Sequence, residues 1–74
     1  MDIRDSIGLG ANVRLARRVQ GLRQADLAMA AGTGLRFVKD LERGKPTCQL
    51  APTLRVIAAL GLRVELRGGV DDGP

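Results

Sequence analysis

The chain has 74 residues, room for one small domain that buries about 60% of its unfolded surface and no room for a second. It contains no His, Trp or Tyr from which acid/base or stacking chemistry could be assembled around a pocket, so an enzyme is not expected. The formal net charge is +4, and no run of 18 apolar residues occurs that could span a membrane.

The amino terminus, MDIRDSIGLG, carries acids where a secretory signal carries a basic region, so a cytoplasmic protein with no membrane partner is expected. A first helix is predicted from about Ser6 to Gln20, with Ser6 as N-cap and Gly21 just past the end. Leu9, Val13 and Ala16 share one face, while Arg14, Arg17 and Arg18 form a basic back. Gly8 and Gly10 each weaken helix propensity by roughly 1 kcal/mol relative to Ala.

A second helix fits Gln24 to Ala31, with Leu27, Ala28 and Ala31 as its inner stripe and Gly32 as its stop. A third fits Gly34 to Arg43, with Val38 and Leu41 inward and Gly44 and Pro46 ending it. Cys48 follows; a lone thiol without His can complete neither an internal disulfide nor a metal-ligand set, so no metal or cofactor is expected. A fourth helix runs from about Ala51 to Leu60, with Pro52 near its first position, Leu54, Ile57 and Ala58 in its buried stripe, and Gly61 closing it.

After Gly61 the period changes. Leu62, Val64 and Leu66 alternate with Arg63, Glu65 and Arg67, the signature of a strand over 62–67. No second strand is legible, so the economical partner is the same strand of another copy about a two-fold axis, unless helix four extends or the segment is coil. GGVDDGP, residues 68–74, has the composition of a flexible tail. The expected architecture is therefore an all-α domain of four to five helices over residues 1–67, with a short dimerisation strand at its end.

Between Gln24 and Arg43 lies QADLAMAAGTGLRFVKDLER. Small Ala28 at its fifth position lets two helices approach, Gly32 at the ninth gives a tight turn, and Val38 and Leu41 at the fifteenth and eighteenth plug the space between them. That joint pattern describes a helix-turn-helix. A generic helical hairpin would not explain why the outer face of the third helix carries Arg36, Lys39 and Arg43. From Arg14 to Lys45 there are eight basic residues against Asp26, Asp40 and Glu42. Such a field attracts a polyanion, although a solvated basic face has the same composition.

In this docking geometry the leading end of the third helix enters the major groove. Gln24, at the start of the second, meets a phosphate there. Thr33, Gly34, Leu35 and Arg36 lie at that leading end. Arg36 is the best candidate for base reading, since its guanidinium can bond guanine O6 and N7 for about 1–3 kcal/mol of discrimination. Leu35 suits a thymine methyl; Gly34 permits close approach or is simply a turn residue. Lys39 meets phosphate or a base edge, and Asp40 either accepts from cytosine N4 or pairs with Arg36 one turn back. Arg43 and Lys45 fit phosphate contacts or a solvated role. Phe37, the one aromatic, suits packing better than a base wedge.

LGANVRLARRVQGLRQADLAMAAG followed by LRFVKDLERGKPT, with the closing ALGLRVEL, resembles the lambda-repressor-like (Xre-type) helix-turn-helix proteins over residues 9 to 62, and in particular their HipB-like antitoxin branch. The resemblance implies a homodimer on an inverted-repeat double-stranded DNA operator, a strand paired between subunits, and often a HipA-like kinase toxin as partner. It further implies a structural ion pair between Arg17 and Glu42. Two positions depart from the pattern: Arg23 stands where a Ser or Thr often caps the second helix, and Gly34 replaces a frequent polar residue. The expected function is an autoregulating antitoxin repressor. A stand-alone regulator with the same DNA mechanism, and a protein-binding adaptor on the same scaffold, are the alternatives.

Overall fold

The computed structural model describes residues 2–68 and contains four helices: α1 (Ser6–Val19), α2 (Gln24–Ala31), α3 (Leu35–Glu42) and α4 (Leu50–Ala59). The helix boundaries follow the punctuation of the sequence, with one shift at the start. Asp5, not Ser6, caps α1: its backbone is extended and its carboxylate accepts the Gly8 N–H at 2.7 Å. Both residue types suit that position, and the acid adds a charge at the positive end of the helix dipole.

Helix α3 packs against α1 and α2, and α4 packs against α2. Val13, Leu27, Val38 and Val56, one from each helix, are fully buried where the four meet, and Ala28, Ala31, Leu41 and Leu60 complete the core. Burial of each large side chain there is worth about 1.5–3 kcal/mol. Phe37 and Cys48 pack on its margin. Two side chains tie the helix ends together: the Gln20 amide donates to the Leu60 carbonyl at 2.8 Å, and Arg55 donates to the Ala31 carbonyl at the end of α2.

The buried stripe of α4 differs from the expected one. Thr53, Val56, Ile57 and Leu60 face inward, whereas Leu54 and Ala58 are exposed. Thr53 can be buried because its hydroxyl donates to the Gln49 carbonyl at 2.6 Å. This leaves Leu50, Leu54 and Ala58 as an apolar ridge on the outside of the helix.

Gly10 and Gly44 decide how α1 meets the end of α3. A Cβ on Gly10 would stand 2.7 Å from the Glu42 carbonyl oxygen and closer still to that of Leu41. Gly44 has φ +86°, and a Cβ there would lie 2.7 Å from the Ile7 Cα. The first is a close approach that only glycine allows; the second is that and a left-handed conformation as well. The helix propensity lost at Gly10 is thus exchanged for backbone contact between two helices.

Residues 62–68 carry no regular secondary structure, so the expected strand at Leu62, Val64 and Leu66 is not formed within one chain. The reason is that a strand's N–H and C=O groups need a ladder partner, and none of the other described segments is extended beside it. Leu62, Val64 and Leu66 are all exposed. The predicted flexible tail falls, apart from Gly68, outside the described residues. Among the described residues no helix is long and apolar enough to cross a membrane.

Candidate nucleic-acid interface

α2 and α3 are joined by Gly32, Thr33 and Gly34, with Gly32 in the left-handed conformation the tight turn needs (φ +70°). The Thr33 N–H donates back to the Ala28 carbonyl at 2.9 Å, which ends α2 firmly. Gly34 caps α3 without a side-chain hydrogen bond, leaving the first N–H groups of that helix unoccupied by any side chain. Val38 and Leu41 then hold α3 to the core by one face, and the opposite face is presented outward.

On that outer face Leu35, Arg36, Lys39 and Arg43 line a shallow groove of about 450 Å³. Lys39 has no carboxylate in ion-pair range among the described residues. Asp40 sits between the cations of this surface. Its carboxylate is 2.7 Å from Arg43, 3.5 Å from the Lys45 ammonium and 3.6 Å from Arg36. The hydrogen bond from Arg43, with the charges of Lys45 and Arg36 added, holds the Asp40 carboxyl below the usual carboxylate range. Of the two roles open to Asp40, accepting from a base or pairing with Arg36, the chain favours pairing, with three cations around its oxygens.

A second cleft, of about 490 Å³, adjoins the first and shares Arg43 with it. Its other lining residues are Arg14, Arg17, Arg18, Arg23, Gln24 and Glu42. At its floor the expected Arg17–Glu42 pair is present and bidentate: Arg17 Nε to Glu42 Oε2 at 2.6 Å and Nη2 to Oε1 at 2.9 Å. The third arm, Nη1, donates to the Leu22 carbonyl at 2.8 Å, so one guanidinium ties together α1, the α1–α2 turn and the end of α3. Both side chains are nearly sealed, 10% and 3% exposed. Burial pushes the Glu42 carboxyl up, but the hydrogen bonds from Arg17 and Gln24 outweigh it and the group ends below its ordinary value.

Gln24 opens α2 as expected, yet its amide is turned inward and donates to Glu42 Oε1 at 3.1 Å. Arg23 has no acceptor to offer as a cap. Instead the Asp26 carboxylate reaches back to the Arg23 N–H at 2.9 Å and also pairs with its guanidinium at 3.2 Å. Arg14 and Arg18 were legible only as a basic back of the first helix. The structure brings both to the cleft, one helical turn apart on either side of Arg17, and that spacing of four is the signal that could have found them.

Comparisons with known proteins bear on the family and the fold. No family model matches the chain. Over 64 residues it is 47% identical to an uncharacterized HTH-type transcriptional regulator, y4mF, of Sinorhizobium fredii, covering 86% of this chain and 84% of that protein. This chain belongs to the HTH-type transcriptional regulators. Among solved structures, the regulator superposes on a chain of the HipB-O4 20mer complex with a TM-score of 0.85 at 20% identity, covering 95% of it and 99% of that chain. A chain of the HipA-HipB-O2-O3 complex gives 0.86 at 20% identity over the same shares. At that identity the likeness establishes the lambda-repressor-like fold.

Proposed function

We propose that this regulator is a repressor that binds an inverted-repeat DNA operator as a homodimer and controls its own synthesis. The observation that carries the reading is the continuous cationic surface of α3 and the α1–α2 cleft, joined at Arg43. In the groove, Arg36 reads a base edge, Lys39 meets a base edge or phosphate, and Leu35 faces a thymine methyl while Thr33 and Gly34 allow the approach. In the cleft, Arg14, Arg18, Arg23 and Arg43 take backbone phosphates beside the start of α2, with Gln24 orienting Glu42 as well as facing the backbone. Lys45 extends that contact, and the Arg17–Glu42 pair acts through the placement of α3.

The direct test is a gel shift on duplex DNA from upstream of its own coding sequence. Arg36→Ala is expected to lower affinity for the bound site by roughly tenfold or more. Lys39→Ala should cost less and reduce the salt slope by about one, the mark of a lost phosphate contact. An adaptor that does not touch DNA would be indifferent to both substitutions.

Dimerisation by the 62–67 strand is supported by the exposure of Leu62, Val64 and Leu66, apolar side chains without cover in the single chain. A chain ending at Gly61 is therefore expected to be monomeric by solution mass, where the full chain is a dimer. A truncated chain that remains dimeric would move the interface to α4. The complex of HipA with HipB favours a second, narrower reading in which this regulator is the antitoxin of a HipA-like kinase toxin. Co-purification with the product of an adjacent kinase-like reading frame would separate it from a stand-alone regulator.

A further inference from the structure

We propose that Asp40 is the residue that sets the specificity of this interface, acting as an internal counter-charge and not as a base reader; the inference rests on the DNA-binding reading above. Asp40 is the one acid on the outer face of α3, and its carboxylate lies within 3.6 Å of Arg36, Arg43 and Lys45. Its side chain is 13% exposed, whereas Arg36 is 84% exposed and Arg43 72%. The carboxylate is thus largely covered by the cations around it, which themselves remain exposed.

Two consequences follow from that placement. The carboxylate is hydrogen-bonded to Arg43 and stands 3.6 Å from Arg36, an ion pair without a hydrogen bond, so the N–H groups of Arg36 stay free for the paired acceptors O6 and N7 of guanine. The same carboxylate cancels part of the charge that would otherwise bind any phosphate backbone equally well. Sequence-independent affinity comes almost wholly from unneutralised cations, so it falls when Asp40 is present. Affinity for the right base pair falls less, since the hydrogen bonds of Arg36 to a base edge add to the charge term and are not cancelled with it. The ratio between the two rises.

Asp40→Asn keeps the shape and removes the charge. Binding of the full chain is measured by fluorescence anisotropy on two probes of equal length, the duplex from upstream of its own coding sequence and poly(dI-dC), each across a salt series. Asp40→Asn is expected to bind poly(dI-dC) several-fold more tightly, to steepen its salt slope by about one, and to lower the ratio of the two affinities roughly tenfold. Asp40→Glu is expected to restore most of the ratio, and thermal unfolding of each variant identifies any loss due to folding alone. Equal weakening on both probes with an unchanged slope would mean that Asp40 is structural. A loss confined to the specific probe, with poly(dI-dC) unaffected, would make it a direct base contact. Either result overturns the proposal. If the unaltered protein does not prefer the upstream duplex over poly(dI-dC), the DNA-binding reading fails and the proposal with it.

Discussion

Glu42→Ala is expected to lower stability by about 3 kcal/mol and to abolish operator binding although Glu42 touches no DNA in the proposed arrangement. The carboxylate is 3% exposed and accepts from Arg17 twice and from Gln24 once. Removing it strands the Arg17 guanidinium in a site where only the Leu22 carbonyl remains as a partner, and an uncompensated buried charge costs far more than the pair contributes. For a domain of this size, 3 kcal/mol is a large part of the total. The pH dependence gives an independent readout. Because the Glu42 carboxyl titrates below its ordinary value of 4.5 in the folded chain, its stabilisation is complete above that value and is lost as pH falls through the depressed one. Urea unfolding should therefore show a wild-type midpoint that falls below about pH 4.5, and a Glu42→Ala midpoint that is lower at pH 7 and falls less steeply in acid. Parallel curves would mean that the pair does not hold α3.

Gly10→Ala is the second large effect, and its sign separates local from tertiary physics. Helix propensity alone awards alanine about 1 kcal/mol over glycine in the middle of α1. The new Cβ, however, would fall inside contact distance of the Leu41 and Glu42 carbonyl oxygens, which are backbone atoms with no rotamer to change. α1 and α3 must part, at an overpacking cost of about 1–3 kcal/mol beyond the propensity gained. We expect a melting temperature roughly 10 °C lower. Gly8→Ala is the control. Its Cβ meets only the Asp5 carboxylate at 3.2 Å, a side chain able to shift, so its effect should be small or stabilising. A Gly10→Ala protein more stable than wild type would show that the helices slide apart at little cost.

The elements that glycine punctuates were legible before the fold. Gly32 and Gly44 bracket α3, small Ala28 marks the crossing of α2 and α3, and Val38 and Leu41 are buried as their spacing requires. Arg17–Glu42 is implied by the family resemblance and not by spacing, because its partners stand 25 residues apart. The buried face of α4 is not legible because that helix is apolar nearly all round; with Leu50, Leu54, Val56, Ile57 and Ala58 in one helix, periodicity offers two stripes and only the location of α2 chooses between them. Asp40 was ambiguous for a similar reason. Its spacing from Arg36 is local, but Lys45 reaches it only because Gly44 turns the chain back past the end of α3. The strand expected at 62–67 does not form, because an alternating pattern marks a face but supplies no ladder partner, and no other described segment lies extended beside it.

α3 is held along one face by Val38 and Leu41 and is braced further at its last turn than at its first. Its last turn is held by Leu41, by the Glu42 pair and by the contact of Gly44 with α1, while its first turn begins at an uncapped Gly34 and projects Leu35 and Arg36 outward. The residues assigned to reading are therefore largely not the residues that hold the fold. Mutation can rewrite positions 34 to 36 at little cost in stability, so in the proposed docking descendants of this chain are free to drift toward new operators while the scaffold beneath stays fixed.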